Sequence, residues 1–509
     1  MQLAFVRTRS QAGLVAPEAT VEVHLGSGLP GFQVVGFSES ATRGIRGRVR
    51  SAILSCHLKW PDFNITVNLA PAEQPKEGPR YDLPIALGLL VASQQLPEGS
   101  IAGREFFGEL GLDGGLHPFR GRLAAALAAT HAERECGIAL EGAAEIATLT
   151  RGRVIAAPDL LSLCARLKAE SPEYVPCPPV SDPEPVAYPD LSALRGQPLV
   201  RKALEVAATG GHHLLMTGPP GVGKTLAASV LPGLLPCMPE KTAQELRLVQ
   251  DAAGLTPCNA RPFRAPHHSS SVAALMGGTA NALPGEIALA HGGVLFLDEL
   301  AEFPHAVLNQ LRQPLETGHI LVNRARYQHQ YPAQFQLVAA MNPCPCGLAG
   351  DPDRQCLCTP DRIRRYRRGV SGPLLDRIDL HVALQRPSPE WVLSKRSDPK
   401  THSSGLRNRV ARLQQRQRKR QGCLNRDLVG EQLIDVCSLN SETESWFIAV
   451  VTKLNLSARS AHRRLRVART LADMAGDEVV STRHLETALS FREAPLEDAG
   501  IPQRLESTM

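Results

Sequence analysis

Short apolar runs bounded by glycine, proline or paired polar residues recur through the middle of the chain. "HHLLMTGPPGVGKTLAASVLPGLL" (212–235) predicts a short buried strand, a glycine-rich turn and a helix. "GGVLFLDEL" (292–300) predicts a second buried strand, Val294–Leu297, and "FQLVAAMN" (335–342) a third. Between them "GHILVNRARYQHQYPAQF" (318–335) alternates enough to predict a hairpin. Towards the C-terminus, "ARSAHRRLRVARTLADMAG" (458–476) carries apolar residues at helical spacing. The longest apolar run, "LPIALGLLVA" (83–92), is too short to span a bilayer. No internal repeat is visible.

Two stretches break this pattern. Residues 172–189 hold seven prolines in eighteen positions, which neither a helix nor a central strand accommodates, so they predict a semi-rigid linker. Residues 392–427 are polar and basic, with "RLQQRQRKRQG" (412–422) at their centre. The chain of 509 residues is too long for one core and is expected to form about three units. The expected division is an N-terminal domain (1–170), a proline-rich linker (171–190), an α/β domain (191–390), a basic linker (391–428) and a C-terminal helical domain (429–495).

Composition narrows the classes. A net charge of +6 permits nucleic-acid binding without requiring it, and only 4% aromatics speaks against extensive base-stacking platforms. The opening "MQLAFVRTRSQAGL" is not a signal peptide, because Arg7 and Arg9 break its apolar patch. The expected location is cytoplasmic, with no membrane association and with most of the twelve cysteines reduced.

The α/β domain carries the clearest chemistry. Gly218-Pro219-Pro220-Gly221-Val222-Gly223-Lys224-Thr225 fits G-x-x-x-x-G-K-[ST], whose backbone N–H groups cradle phosphate at a helix N-terminus. Lys224 is expected to reach the β- and γ-phosphates of ATP, and the Thr225 hydroxyl to bind Mg²⁺. Asp298, at the end of the second strand, is a second candidate for holding Mg²⁺ or its waters, and Glu299 a candidate for polarising the attacking water. An acidic helix cap explains one of these carboxylates but not the pair. Asn342, ending the third strand, is placed to position that water near the γ-phosphate.

Together these residues resemble the AAA+ ATPases, and more narrowly the YifB/ComM family in their magnesium-chelatase-like branch. "RPFRAPHHSSSVAALMGG" (261–278), "PGEIALAHGGVLFLDELAEF" (284–303), "LRQPLETG" (311–318), "PAQFQLVAAMNPCPCG" (332–347) and "SGPLLDRIDLHV" (371–382) are similar to long signatures of that family. The resemblance covers nearly the whole chain. It implies that Arg377 is an arginine finger entering a neighbouring subunit's ATP site and that Arg459 is the sensor-2 arginine. The plainer alternatives are a salt bridge from Arg377 to Asp376 or Asp379, and a solvated helix face for Arg459. A site completed in trans implies a ring, most often a hexamer. The implied architecture is a Lon/S5-like α+β domain, an AAA+ P-loop α/β domain and a C-terminal helical lid.

The N-terminal stretch "PKEGPRYDLP" (75–84) is close to the loop that carries the nucleophilic serine of Lon-type proteases, yet Arg80 stands at the serine position. No lysine occurs in 101–130, where the activating one is expected, so both halves of the Ser–Lys dyad are missing. Lys76 and Arg80 either meet phosphates or are solvated loop charges.

Four cysteines form two C-x-C pairs nine residues apart: Cys344, Cys346, Cys356 and Cys358. The set is a candidate tetrahedral Zn²⁺ site, the alternative being reduced structural thiols. "RIRRYRRG" (362–369) follows, and Arg364, Arg365, Arg367 and Arg368 are candidate DNA contacts unless they line a subunit interface. Arg324 and Arg326 near the hairpin tip are a second set, suited to sequence-independent backbone contact. The resemblance implies an ATP-dependent branch-migration helicase acting on single-stranded and branched DNA during natural transformation. The competing readings are the motor subunit of a metal chelatase, an ATP-dependent protease-like remodeller and a nucleotide-gated DNA clamp.

Overall fold

The computed structural model describes residues 2–72, 78–150, 153–169, 171–177, 188–278, 282–324, 327–351, 354–386 and 402–491. Lys76, Arg326, most of the proline-rich stretch and residues 391–401 of the expected basic linker lie outside them.

The N-terminal domain is a mixed sheet with helices. Strands β1 (Leu3–Arg9), β2 (Glu18–Gly26), β3 (Gly31–Val34), β4 (Asn64–Ala70), β5 (Arg104–Phe106), β8 (Glu135–Ala139) and β9 (Val154–Ala157) order as β3-β4-β2-β1-β5-β8-β9. β6 (Glu109–Leu110) and β7 (Leu116–His117) form a separate two-stranded ribbon. β2 and β4 alternate buried and part-exposed residues, as strands with one covered face do. The helix Asp82–Ala92 covers that face and is buried along its whole length. Gly88 lets it approach: a Cβ there would sit 2.6 Å from Val23 Cγ2.

Arg80 answers to neither expectation held for it. It is buried, donates to Gln11 Oε1 and the Arg120 carbonyl, and lies over the Phe119 ring at 5.0 Å. Tyr81 beside it is also buried, which pushes its phenol up. Neither side chain stands where a nucleophile meets substrate.

The middle domain holds a five-stranded sheet of β10 (Leu214–Thr217), β11 (Phe263–Arg264), β12 (Val294–Leu297), β15 (Gln336–Met341) and β16 (Leu380–Ala383). Its order is β11-β12-β15-β10-β16, and every pairing is parallel. β12 and β15 are buried at every residue, as a sheet covered on both faces requires. β13 (His319–Arg324) and β14 (Tyr327–Pro332) make the hairpin expected between the second and third motif strands.

The region read as a basic linker contains a helix, Ser403–Gln421. Its mean polarity hides a buried stripe: Val410 and the Gln414 and Gln417 amides face inwards, the latter two donating to the carbonyls of Ala208 and Thr209. It packs on the helices Pro198–Gly210 and Lys224–Leu234. The helices Gly430–Cys437, Ser441–Lys453, Ala458–Ala475 and Thr482–Ser490 complete the C-terminal part. One hydrophobic cluster runs from Leu204, Leu231 and Val338 of the α/β domain into Leu433, Leu465 and Phe491. A buried polar chain crosses the same boundary: His212 contacts Asp379 (3.2 Å) and Thr470 (2.8 Å), and Asn425 donates to Thr470 and Asp473. The N-terminal domain is tied on by Asp251, which accepts from the Leu123 N–H at 2.9 Å.

Candidate functional site

Three strand ends build the site. In a parallel sheet all carboxyl ends point one way, so the loops after β10, β12 and β15 converge at one edge. The loop after β10 is Gly218–Thr225. Gly223 has φ +93°, a left-handed conformation that turns the chain into the helix Lys224–Leu234. At Gly218 a Cβ would meet the Leu384 carbonyl oxygen at 2.7 Å.

Lys224 Nζ donates to the Gly218 carbonyl (2.6 Å), the Pro219 carbonyl (3.0 Å) and Asn342 Oδ1 (2.8 Å). Partial burial lowers its pKa, opposed by the charges of Asp298 and Glu299. Thr225 Oγ1 donates to Asp298 Oδ2 at 3.0 Å. Lys224, Thr225, Asp298 and Asn342 therefore meet within single hydrogen bonds across three loops. Oxygens of Thr225 and Asp298 side by side fit a hard divalent cation such as Mg²⁺.

Glu299 is exposed and sits at φ +52°, unusual for a residue with a Cβ. Its carboxylate contacts His268 Nδ1 at 3.1 Å. His268 follows β11, the strand beside β12, and its ring lies 4.1 Å from that of His267, tilted by 34°. Sequence reasoning did not single it out. The only signal was its place in the long stretch 261–278.

Arg377 and Arg459 come together on a carboxylate that the sequence also left unmarked. Both guanidinium groups contact Glu316 Oε1, Arg459 at 2.8 Å. Glu316 is held below the usual carboxylate range, first by the Arg459 hydrogen bond and then by the charge of Arg377. The expected alternative partners of Arg377 are engaged elsewhere: Asp376 with Arg463 and Asp379 with His212.

The four cysteine sulfurs of 344, 346, 356 and 358 all lie within 4.8 Å of one another, with individual separations of 3.3, 3.5 and 3.7 Å. A tetrahedron of Zn–S bonds of about 2.3 Å has edges of about 3.8 Å, so donor set and spacing fit a tetrathiolate centre. The Leu348 backbone N–H and the neighbouring thiols pull Cys346 down to about 6. Cys344 is two residues beyond Asn342, so this cluster is directly joined to the nucleotide edge.

The helix Pro360–Arg367 follows, capped by the Thr359 side chain. Arg364, Arg365 and Arg368 are exposed, with Arg364 paired to Asp361 at 3.0 Å. Arg367 is half-buried and donates to the Pro343 carbonyl, fastening the helix to the Asn342 loop. Arg324 closes the β13–β14 ladder opposite Tyr327.

Residues 190–391 match the family "Magnesium chelatase, subunit ChlI", residues 21–139 "Subunit ChlI of Mg-chelatase", and residues 400–492 "Magnesium chelatase, subunit ChlI C-terminal". The chain is 42% identical over 498 residues to the uncharacterized protein YifB of Salmonella typhimurium, covering 97% of each. It is also 42% identical over 503 residues to the competence protein ComM of Haemophilus influenzae, covering 97% of this chain and 98% of that one. A shorter match, 28% over 170 residues, reaches Lon protease 2 of Bacillus subtilis. Family membership implies ATPase activity, and the chain belongs to the YifB/ComM family of magnesium-chelatase-like AAA+ ATPases.

Proposed function

We propose that this protein is an ATP-driven DNA motor that assembles as a ring, most often a hexamer, and drives branch migration during homologous recombination of incoming single-stranded DNA. The observation that carries the ATPase half is the convergence of Lys224, Thr225, Asp298 and Asn342 at one sheet edge. The DNA half rests on the likeness to a competence protein and on the exposed arginines 364, 365 and 368 fastened to the same edge.

In this reading the backbone of Gly218–Gly223 cradles the phosphates. Lys224 leaves the Gly218 and Pro219 carbonyls for the β- and γ-phosphates, while Asn342 orients the attacking water. Glu299 polarises that water. Thr225 and Asp298 would hold Mg²⁺, which neutralises charge on the phosphates. Arg377 and Arg459 serve the site of the neighbouring copy. Movement of the Asn342 loop passes through Pro343 and Arg367 to the basic helix, which with Arg324 and Arg326 contacts the phosphate backbone without reading sequence. The four cysteines hold one structural zinc ion.

The test is ATP-dependent dissociation of a labelled four-way junction. Wild type is expected to separate it into two duplexes, and Glu299→Gln to bind it without doing so. ATP hydrolysis unaffected by DNA, with junctions and forks left intact, would overturn the DNA reading. The chelatase motor suggested by the family descriptions would then be favoured.

A further inference from the structure

On the opposite edge of the sheet from the nucleotide loops, a cavity of about 430 Å³ opens between the α/β core and the C-terminal helices. One wall is core: Arg261, Thr242, Gly292 and Gln334. The other is the end of the helix Ser403–Gln421 and the turn after it: Gln414, Arg418, Arg426 and Asp427. Three guanidinium groups thus meet one carboxylate among the described lining residues. That carboxylate, Asp427, is already paired with Arg426 at 3.2 Å.

Arg261 makes the arrangement unusual. Nε donates to the Pro236 carbonyl at 2.7 Å and Nη1 to the Gly292 carbonyl, so its described partners are neutral oxygens. Burial pushes it down to about 10, and the charge of Arg418, another cation, pushes the same way. Arg426 is fixed at the wall by the carbonyls of Gly211 and Phe335 together with its pairing to Asp427. Arg261 is thus a largely enclosed cation whose described partners carry no charge, and with Arg418 and Arg426 on the facing wall the cavity is set up to receive an anion. Arginine forks suit phosphate oxygens in particular. Phe335 and Leu424 add an apolar flank.

We propose that this cavity is a second phosphate-binding site, distinct from the P-loop, taking a multivalent phosphate on Arg261, Arg418 and Arg426. Such a ligand bridges the core to the C-terminal helices and relieves the repulsion between Arg261 and Arg418. The same chemistry is carried by a free polyphosphate and by the 5′-phosphate of a nucleic-acid strand.

The test uses the full chain with Lys224→Ala, which weakens the first site, and pyrophosphate as probe in titration calorimetry. Pyrophosphate is expected to bind and to raise the melting temperature. Adding Arg418→Glu is expected to weaken binding about tenfold or more, since a charge-assisted contact becomes a repulsive one. Arg418 is exposed, so this variant leaves the core packing alone. A 5′-phosphorylated oligonucleotide that displaces pyrophosphate where its 5′-hydroxyl twin does not assigns the site to strand ends. Failure of both to displace assigns it to free polyphosphate. No pyrophosphate binding to the Lys224→Ala protein, or binding indifferent to Arg418→Glu, overturns the proposal, and neither result bears on whether the protein moves DNA.

Discussion

Arg377 and Arg459 end on the same oxygen of Glu316. Side chains expected to act on a neighbouring copy are therefore parked on a carboxylate of their own chain. Glu316 and Arg459 are about half exposed, so their pair is worth only about 0–1 kcal/mol and is readily exchanged, whereas the Arg377 side chain is 12% exposed. Arg459→Ala is expected to leave the melting temperature nearly unchanged. Arg377→Ala should lower ATPase turnover by roughly 10³-fold, the order an arginine finger contributes. Mixing Arg377→Ala with Glu299→Gln is expected to restore part of the activity, because each mutant supplies what the other lacks. A mixture as inactive as its components would show that Arg377 does not act in trans.

Glu299 is held by His268 at 3.1 Å, a contact that fixes the direction of the carboxylate while leaving it about half exposed. His268→Ala is expected to raise the DNA-free kcat with KM for ATP unchanged. An exposed pair worth about 0.2–1 kcal/mol corresponds to roughly 1.4- to 5-fold in rate. A fall in kcat would mean that His268 instead positions Glu299 for reaction.

One zinc ion per chain is the expected result of elemental analysis. Cys344→Ser and Cys356→Ser are each expected to lose it and to unfold at lower temperature, because the thiolates hold the loop after Asn342 together. Chelator treatment should also lower DNA-stimulated ATPase more than basal ATPase, since the basic helix hangs from the same loop. A protein that binds no zinc with all four cysteines reduced would refute the site.

Stability is expected to decline with acid well above the carboxylate range. Burial holds His213 down at about 3 and His381 at about 4, against about 6.5 in an unfolded chain. Between those values the unfolded state binds more protons, so the stabilisation is complete above about pH 6.5 and is lost as pH falls. Each histidine contributes a slope of about 1.4 kcal/mol per pH unit across its window. His213 Nδ1 accepts the Leu337 N–H at 2.9 Å, which protonation at that nitrogen would abolish. His213→Asn, which keeps an acceptor there, is expected to flatten the melting-temperature profile between pH 7 and 5. An unchanged profile would place the acid-sensitive groups elsewhere.

The nucleotide edge was legible in sequence because each part is local: a turn, a strand end, a pair of adjacent carboxylates. Lys224 to Asn342 is a distant contact, but both residues announce themselves, one by its place in the G-x-x-x-x-G-K-[ST] loop and the other by standing at a strand end. His268 and Glu316 did not, since their meaning lies in what they touch, and nothing in their neighbourhood along the chain points to Glu299 or to Arg459. The helix Ser403–Gln421 was misread for a different reason. Its buried positions, Ser403, Val410, Gln414 and Gln417, include one apolar residue, so its inward face looks polar until the Ala208 and Thr209 carbonyls are in view. Arg80 was misjudged because a charge in a glycine- and proline-flanked loop normally faces water, whereas here an aromatic ring and two oxygens enclose it.

The hydrophobic cluster that runs unbroken from the α/β sheet into the C-terminal helices makes the two parts one mechanical unit. Two parts joined by packed side chains and the buried His212–Thr470–Asn425 chain do not flex against each other as a pocketknife does. They turn together. In the ring motor proposed above, any compliance would therefore lie at the seams between copies and not inside the chain.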